Sequence, residues 1–177
     1  TSSGLMTLQL LDGKEVRVDM GAPRFAPAEV PIARDAEAKE YDLEVAGESL
    51  RVGAVSMGNP HAVLRVDDVD SGCVERLGPA IEAHPDFPER VNAGFAQVLE
   101  RDHIRLRVHE RGVGETLACG SGACAAVVHG RRMGWLDDRV TVDLPGGKLS
   151  VSWSGDTDES VFLTGPTAIS FEGSVRL

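Results

Sequence analysis

The sequence predicts an α+β fold in which mostly antiparallel strands wrap around one central helix. Short runs of alternating apolar and polar residues, separated by turn dipeptides, recur along the chain and read as hairpins. One stretch, from about Ser121 to Met133, is rich in Ala, Cys and Val and ends on Arg131-Arg132 and Gly134, the pattern of a helix and its stop. Size is the third observation: 177 residues with 42% hydrophobic and 26% charged side chains fit one ordinary globular domain.

Met6 to Leu10 alternates, Asp12-Gly13 is a turn, and Val16, Val18 and Met20 alternate again, so a hairpin opens the chain. Residues 21–40 carry three prolines and an acidic, Ala-rich stretch and read as a solvated connector. A second hairpin has Tyr41, Leu43 and Val45 before Ala46-Gly47-Glu48, and Leu50, Val52 and Ala54 after it. Ala62 to Val66 is a short apolar strand. Asp70 or Ser71 can cap a helix with Val74, Leu77 and Ile81 at helical spacing, although Gly78-Pro79 interrupts it. Phe95–Leu99 and Ile104–Val108 form another hairpin. After the central helix, Val140–Leu144 and Leu149–Trp153 pair across Pro145-Gly146-Gly147, and Val161–Leu163 and Ile169–Val175 finish the chain as strands.

Charge and cysteine usage narrow the function class. A net charge of −10, from 28 acidic and 18 basic residues, disfavours nucleic acid or an anionic membrane as partner. The longest apolar run, Ala123–Val128, is far short of a membrane span. Three cysteines cannot all pair, which fits reduced thiols and a cytoplasmic location.

The stretch that carries chemistry is Glu110-Arg111-Gly112-Val113-Gly114-Glu115-Thr116-Leu117-Ala118-Cys119-Gly120-Ser121-Gly122-Ala123-Cys124. A strand leads through a Gly-rich turn into the start of the strong helix. Such a start offers unpaired N–H groups and a positive dipole end, suited to a carboxylate or phosphate. Cys119 lies in that field, which tends to lower a thiol's pKa and make it a base or nucleophile. Cysteine is also a common small core residue, and Cys124, about 140° round the helix, is assigned that role. Met57-Gly58-Asn59-Pro60-His61 is a second candidate, otherwise a plain loop. Arg90-Val91-Asn92 is a weaker third. Lys14, Lys39 and Lys148 lie in no phosphate-binding setting, so no pyridoxal phosphate or other cofactor is expected. The five histidines and the cysteines form no metal-ligand cluster.

Gly58-Asn59-Pro60-His61, Glu89-Arg90-Val91-Asn92, Glu110-Arg111-Gly112-Val113-Gly114-Glu115-Thr116 and Ala118-Cys119-Gly120-Ser121-Gly122, in this order and at these intervals, closely resemble diaminopimelate epimerase over essentially the whole chain. The resemblance implies one of two pseudo-symmetric halves of a cofactor-independent isomerase of lysine and peptidoglycan-precursor synthesis. Two cysteines flank the substrate α-carbon, one taking a proton as thiolate and the other returning one as thiol, so that the LL and meso forms of diaminopimelate interconvert. On this resemblance Cys119 is the second catalytic cysteine, with His61 helping to set its protonation. Gly120 and Ser121 hold the reacting carboxylate, and Glu110 holds the reacting amino group. Arg111, Asn59 and Asn92 hold the distal amino-acid end, where an arginine's paired N–H groups suit a carboxylate.

The family's other catalytic cysteine lies in a C-G-N-G motif, which this sequence lacks; Cys73, in Asp70-Ser71-Gly72-Cys73, has no such context. The resemblance therefore implies a C-terminal portion, with residues 1–20 and 166–177 as strands of a first domain and 21–165 as the second. The expected partners are the small-molecule substrate, a first-half polypeptide and a second copy in a homodimer. The chain alone is expected to be inactive. Three rivals remain: a proline racemase or hydroxyproline epimerase relative, a cysteine hydrolase with Cys119 as nucleophile and His61 as base, and a binding half-domain with an inert Cys119.

Overall fold

The computed structural model describes residues 6–11, 14–168 and 172–174. The strands are β1 (Leu8–Leu10), β2 (Glu15–Asp19), β3 (Tyr41–Val45), β4 (Glu48–Ser56), β5 (Pro60–Arg65), β6 (Asn92–Glu100), β7 (His103–Glu110), β8 (Gly114–Thr116), β9 (Arg139–Leu144), β10 (Gly147–Ser152) and β11 (Phe162–Pro166). The helices are α1 (Cys73–Glu82), between β5 and β6, and α2 (Gly120–Arg132), between β8 and β9. All the strands join one sheet in the order β1-β2-β11-β10-β9-β7-β6-β5-β4-β3, with β8 paired to β7 off that path.

Most neighbours are antiparallel, as the hairpin pattern predicts. The exceptions are β5 with β6 and β7 with β9, and each parallel pair is crossed by one helix. A parallel pair cannot be closed by a tight turn, so its connection must cross the sheet, here as a helix. The two helices lie against separate apolar clusters. Val55, Met57, Val63, Ala96, Ile104, Leu106 and Val108 pack with α2, whereas Val52, Ala54, Ala62, Leu64, Ala93 and Phe95 pack with α1. Side chains alternate across a strand, so β4, β5 and β6 feed both clusters and are buried continuously over Val52–Ser56, Pro60–Leu64 and Asn92–Ala96.

That second core corrects the expectation of a single central helix. Pro79 sits inside α1 without ending it: the apolar stripe Val74, Leu77 and Ile81 is buried, and this burial outweighs one missing backbone hydrogen bond. The hairpin of β6 and β7 is present, but β6 starts three residues earlier than predicted, at Asn92. The short strand β8 was not anticipated. The Asp12-Gly13 turn lies outside the described residues, while the strands either side of it pair Leu8 with Val18 and Leu10 with Val16. Of the expected last strand, Ile169–Val175, only Glu172–Ser174 are described, and they carry no strand.

Candidate active site

Strand β7 alternates Ile104, Leu106 and Val108 into the α2 core with Arg105, Arg107 and His109 on the other side, and delivers Glu110 at its end. The chain turns at Gly112 (φ 75°) and Gly114 (φ 92°), left-handed positions that glycine occupies without a Cβ penalty. It returns as β8 and enters α2 through Cys119. Cys119 caps the helix in an extended conformation (φ −133°, ψ 104°), its carbonyl accepting the Ala123 N–H at 2.9 Å. The N–H groups of Gly120, Ser121 and Gly122 therefore open toward the site without intrahelical acceptors. A Cβ on Gly122 would stand 3.1 Å from Cys119 Sγ, so glycine here makes room for the thiol.

Cys119 Sγ lies 3.7 Å from Ser121 Oγ, whose hydroxyl is in turn 3.1 Å from His61 Nε2. His61 Nε2 also meets Asn59 Oδ1 at 3.1 Å. An amide oxygen only accepts, so Nε2 carries the ring proton. The unprotonated Nδ1 is then the buried atom with no partner among the described residues. The Ser121 hydroxyl, facing that Nε2–H, can aim its own proton at the sulfur. His61 is 1% exposed, and burial, followed by the charge on Arg111, pushes its pKa down to about 3. It is a neutral donor, one hydroxyl removed from the thiol.

The Cys119 thiol departs from expectation. Burial raises its pKa above the ordinary cysteine value, and the negative charge of the Glu110 carboxylate adds to the rise. The Ser121 hydroxyl and the Gly122 N–H oppose these effects without overcoming them. The helix start was expected to lower this pKa. The correction has a physical reason: dehydrating the sulfur of a buried residue penalises the thiolate more than two donors repay. Cys124, wholly buried on α2, is pushed up further, as suits a core thiol.

Asn92 begins β6 level with His61 of the parallel β5. Its Nδ2 donates to the Pro60 carbonyl at 3.0 Å and its Oδ1 accepts the Arg111 N–H at 2.9 Å, so this buried side chain joins three of the motif segments. Arg111 is exposed, its guanidinium donating to the Glu89 carbonyl at 3.0 Å. Glu110 accepts a hydrogen bond from Thr116 Oγ1 across the turn. All the predicted site residues thus lie around the mouth of α2. Two features were missed: Thr116 as partner of Glu110, and a buried carboxylate, Glu82, behind the turn. Glu82 was visible as an acid one residue beyond Ile81, on the apolar stripe of α1.

Among the described residues no group of three His, Cys, Asp or Glu side chains could hold a metal ion, and no helix is long and apolar enough to cross a membrane. A family model described as diaminopimelate epimerase matches residues 53–169. A diaminopimelate epimerase of Alkalilimnicola ehrlichii is 62% identical over all 177 residues of this chain, which span 63% of that protein. The one from Thioalkalivibrio sulfidiphilus is 56% identical and spanned to 64%, and one from Pseudomonas aeruginosa is 54% identical and spanned to 64%. The chain thus covers less than two thirds of the curated relatives it matches. Among solved structures, a hydroxyproline epimerase from Agrobacterium vitis superposes with a TM-score of 0.63 at 18% identity, over 93% of this chain and 54% of the other. A probable proline racemase from Agrobacterium radiobacter gives 0.65 at 15% identity, over 97% and 59%. At such identities the likeness is one of fold.

Proposed function

The chain belongs to the diaminopimelate epimerase family, and we propose that it forms the second-cysteine half of an active site interconverting LL- and meso-diaminopimelate without a cofactor. The observation that carries this reading is Cys119, protonated at the open start of α2, with Ser121 Oγ and the Gly122 N–H beside the sulfur.

A group that rests as a thiol is equipped to return a proton. The two sulfurs exchange roles between the LL-to-meso direction and its reverse. In the direction that uses Cys119 as the acid, a thiolate on the far face of the α-carbon takes the α-proton, and the electron pair is left on the carbon and spread into the carboxylate. The Gly120 and Ser121 N–H groups at the helix start stabilise that charge. Cys119 then gives its proton to the near face and becomes a thiolate, which the Ser121 hydroxyl and Gly122 N–H stabilise. Glu110 couples binding to this step: once it pairs with the substrate's ammonium, it no longer holds the thiol pKa up to the same degree. Arg111 and the spare amide positions of Asn59 and Asn92 suit a substrate with a second amino-acid end, which proline lacks. The hydrolase reading is disfavoured, since a histidine whose pKa lies near 3, a hydroxyl away from the sulfur, is a poor base for it.

The test is incorporation of solvent deuterium at the α-carbon of LL-diaminopimelate. The chain combined with a polypeptide carrying the C-G-N-G motif should exchange, and the chain alone should not. Exchange of proline but not diaminopimelate would transfer the assignment to the racemase relatives, and turnover by the chain alone would remove the two-cysteine mechanism.

A further inference from the structure

Glu82 is the last residue of α1, the helix that packs on the opposite core from Cys119. Its carboxylate is 11% exposed and has three partners. Oε1 accepts the Gly112 N–H at 2.8 Å and faces Arg90 Nη1 at 3.2 Å, while Oε2 meets His109 Nε2 at 3.0 Å. The Glu82 backbone carbonyl accepts the Val91 N–H at 3.3 Å. One residue therefore grips two separate segments, 90–92 and 109–112, which present Asn92 and Arg111.

The surroundings are shaped for this contact. A Cβ on Gly78 would stand 2.8 Å from the His109 side chain, so the helix is notched to let the imidazole lie against it. Arg90 is held at φ 60°, an unfavourable backbone for a non-glycine residue, with its guanidinium turned back to Glu82. The turn at 111–113 is exposed and has glycine at its centre, which by itself makes for a loose loop. A charge-assisted hydrogen bond from its middle amide to a buried carboxylate opposes that looseness.

We propose that Glu82, braced by His109 and Arg90, is the positioning residue that fixes Arg111 and Asn92 for the distal amino-acid end of the substrate. This rests on the epimerase reading above and extends it to a residue on the opposite core. Glu82 never touches the substrate. It lowers the ordering cost that the distal end would otherwise meet on binding, and it leaves Cys119 and Ser121 as they are.

Amide hydrogen exchange on this chain, with kinetics on the two-cysteine assembly, tests it. Glu82→Ala should speed exchange at Gly112 by about tenfold or more and raise the KM for diaminopimelate about tenfold, with kcat within about threefold, the pattern of lost binding rather than lost chemistry. Glu82→Gln keeps an acceptor for the Gly112 N–H and should recover part of both effects. If Glu82→Ala fails to fold, Glu82→Gln and His109→Gln, which keep side-chain volume, carry the same two measurements. Unchanged Gly112 exchange, or a fall in kcat at constant KM, overturns the positioning role. Absence of diaminopimelate turnover in the unsubstituted assembly overturns the epimerase reading, and the distal-end assignment with it. Normal unsubstituted turnover with unchanged KM in the Glu82 variants overturns the role of Glu82 alone.

Discussion

The units β5-α1-β6 and β7-β8-α2-β9 have the same outline, a parallel strand pair crossed by one helix, yet they differ at the helix start. Helix α1 begins after Gly72 (φ 78°) and places Glu75 in its first turn, where a carboxylate meets the positive end of the helix dipole and pairs with Arg107 at 2.7 Å. Helix α2 begins after Cys119 and has no acidic residue in its first turn. Burial differs as well. Every residue of α2 from Gly122 to Gly130 is buried, whereas α1 buries a stripe and leaves Glu75 and Arg76 to solvent. A helix start becomes a receptive site when its dipole is left unfilled and water is kept from its thiol. The same topology with a filled start serves as a brace.

The largest difference is expected between the two cysteines. Cys73 is the first residue of α1 and Cys119 caps α2, and both are buried. Cys119→Ala should lower α-proton exchange in the two-cysteine assembly by about 10³-fold, the scale of a lost general acid. Cys73→Ala should leave exchange within about twofold and cost about 1 kcal/mol of stability by urea unfolding. Comparable losses of exchange in both variants would mean that the two helix starts are not functionally distinct.

The close approaches around each helix come next. A Cβ at Gly53 would fall 2.1 Å from Nδ1 of His129, a wholly enclosed ring on α2, with Trp135 edge-on to it at 5.2 Å. Gly53→Ala should therefore cost about 3 kcal/mol or more, since nothing around the ring can give way. At Gly78 the Cβ would meet Cβ and Cγ of His109 at 2.8 Å, a smaller overlap, and Gly78→Ala should cost less, about 2 kcal/mol. Equal costs in urea unfolding would contradict the tighter packing assigned to α2.

Acid should also separate the two units. His61 and His129, beside the first and last turns of α2, are held neutral by burial, His61 down to about 3 and His129 down to about 4. Arg111 adds to the first shift and Arg132 to the second. Their pKa in an unfolded chain is about 6.5. Between that value and the folded one the unfolded chain binds more protons, so stability is complete above about pH 6.5 and declines as pH falls, by about 1 kcal/mol per unit for each group. Glu82, at the α1 end, acts only at lower pH. Burial favours its neutral form, but Gly112, His109 and Arg90 together bring its pKa below the usual carboxylate value. Its contribution is lost only as pH falls through the carboxylate range. Urea unfolding from pH 7 to 5 should show the decline, and His129→Gln should about halve its slope. A flat profile in the parent chain would rule out neutral buried imidazoles.

The smallest effect concerns Cys119 itself. Its alkylation by iodoacetamide should rise with pH around a midpoint above that of an ordinary cysteine, because burial and Glu110 disfavour the thiolate. Glu110→Gln should bring the midpoint down, and Ser121→Ala should move it up by removing a donor to the sulfur. Shifts in the reverse directions would overturn this account of the thiol.

Much of the site was legible because it is written locally. Short windows of sequence state most of the turns, the residues that alternate into a core, and the four segments proposed to carry the chemistry. Ile104-Arg105-Leu106-Arg107-Val108 states a strand with one apolar face, and Ala118-Cys119-Gly120-Ser121-Gly122 states a cysteine at an open helix start. Three further features arise from tertiary packing. It gave β4, β5 and β6 a second buried face, turning a doubtful helix at Cys73–Glu82 into half of the core. It enclosed His61 and Cys119 so thoroughly that one is a neutral donor and the other a thiol, against the pull of the helix dipole on the sulfur. It also brought Glu82 to Gly112, thirty residues away in sequence. Periodicity and turn chemistry act over a few residues and survive in any sequence window. Desolvation and buried charge depend on everything that packs around an atom, and that is set only when the distant strands meet.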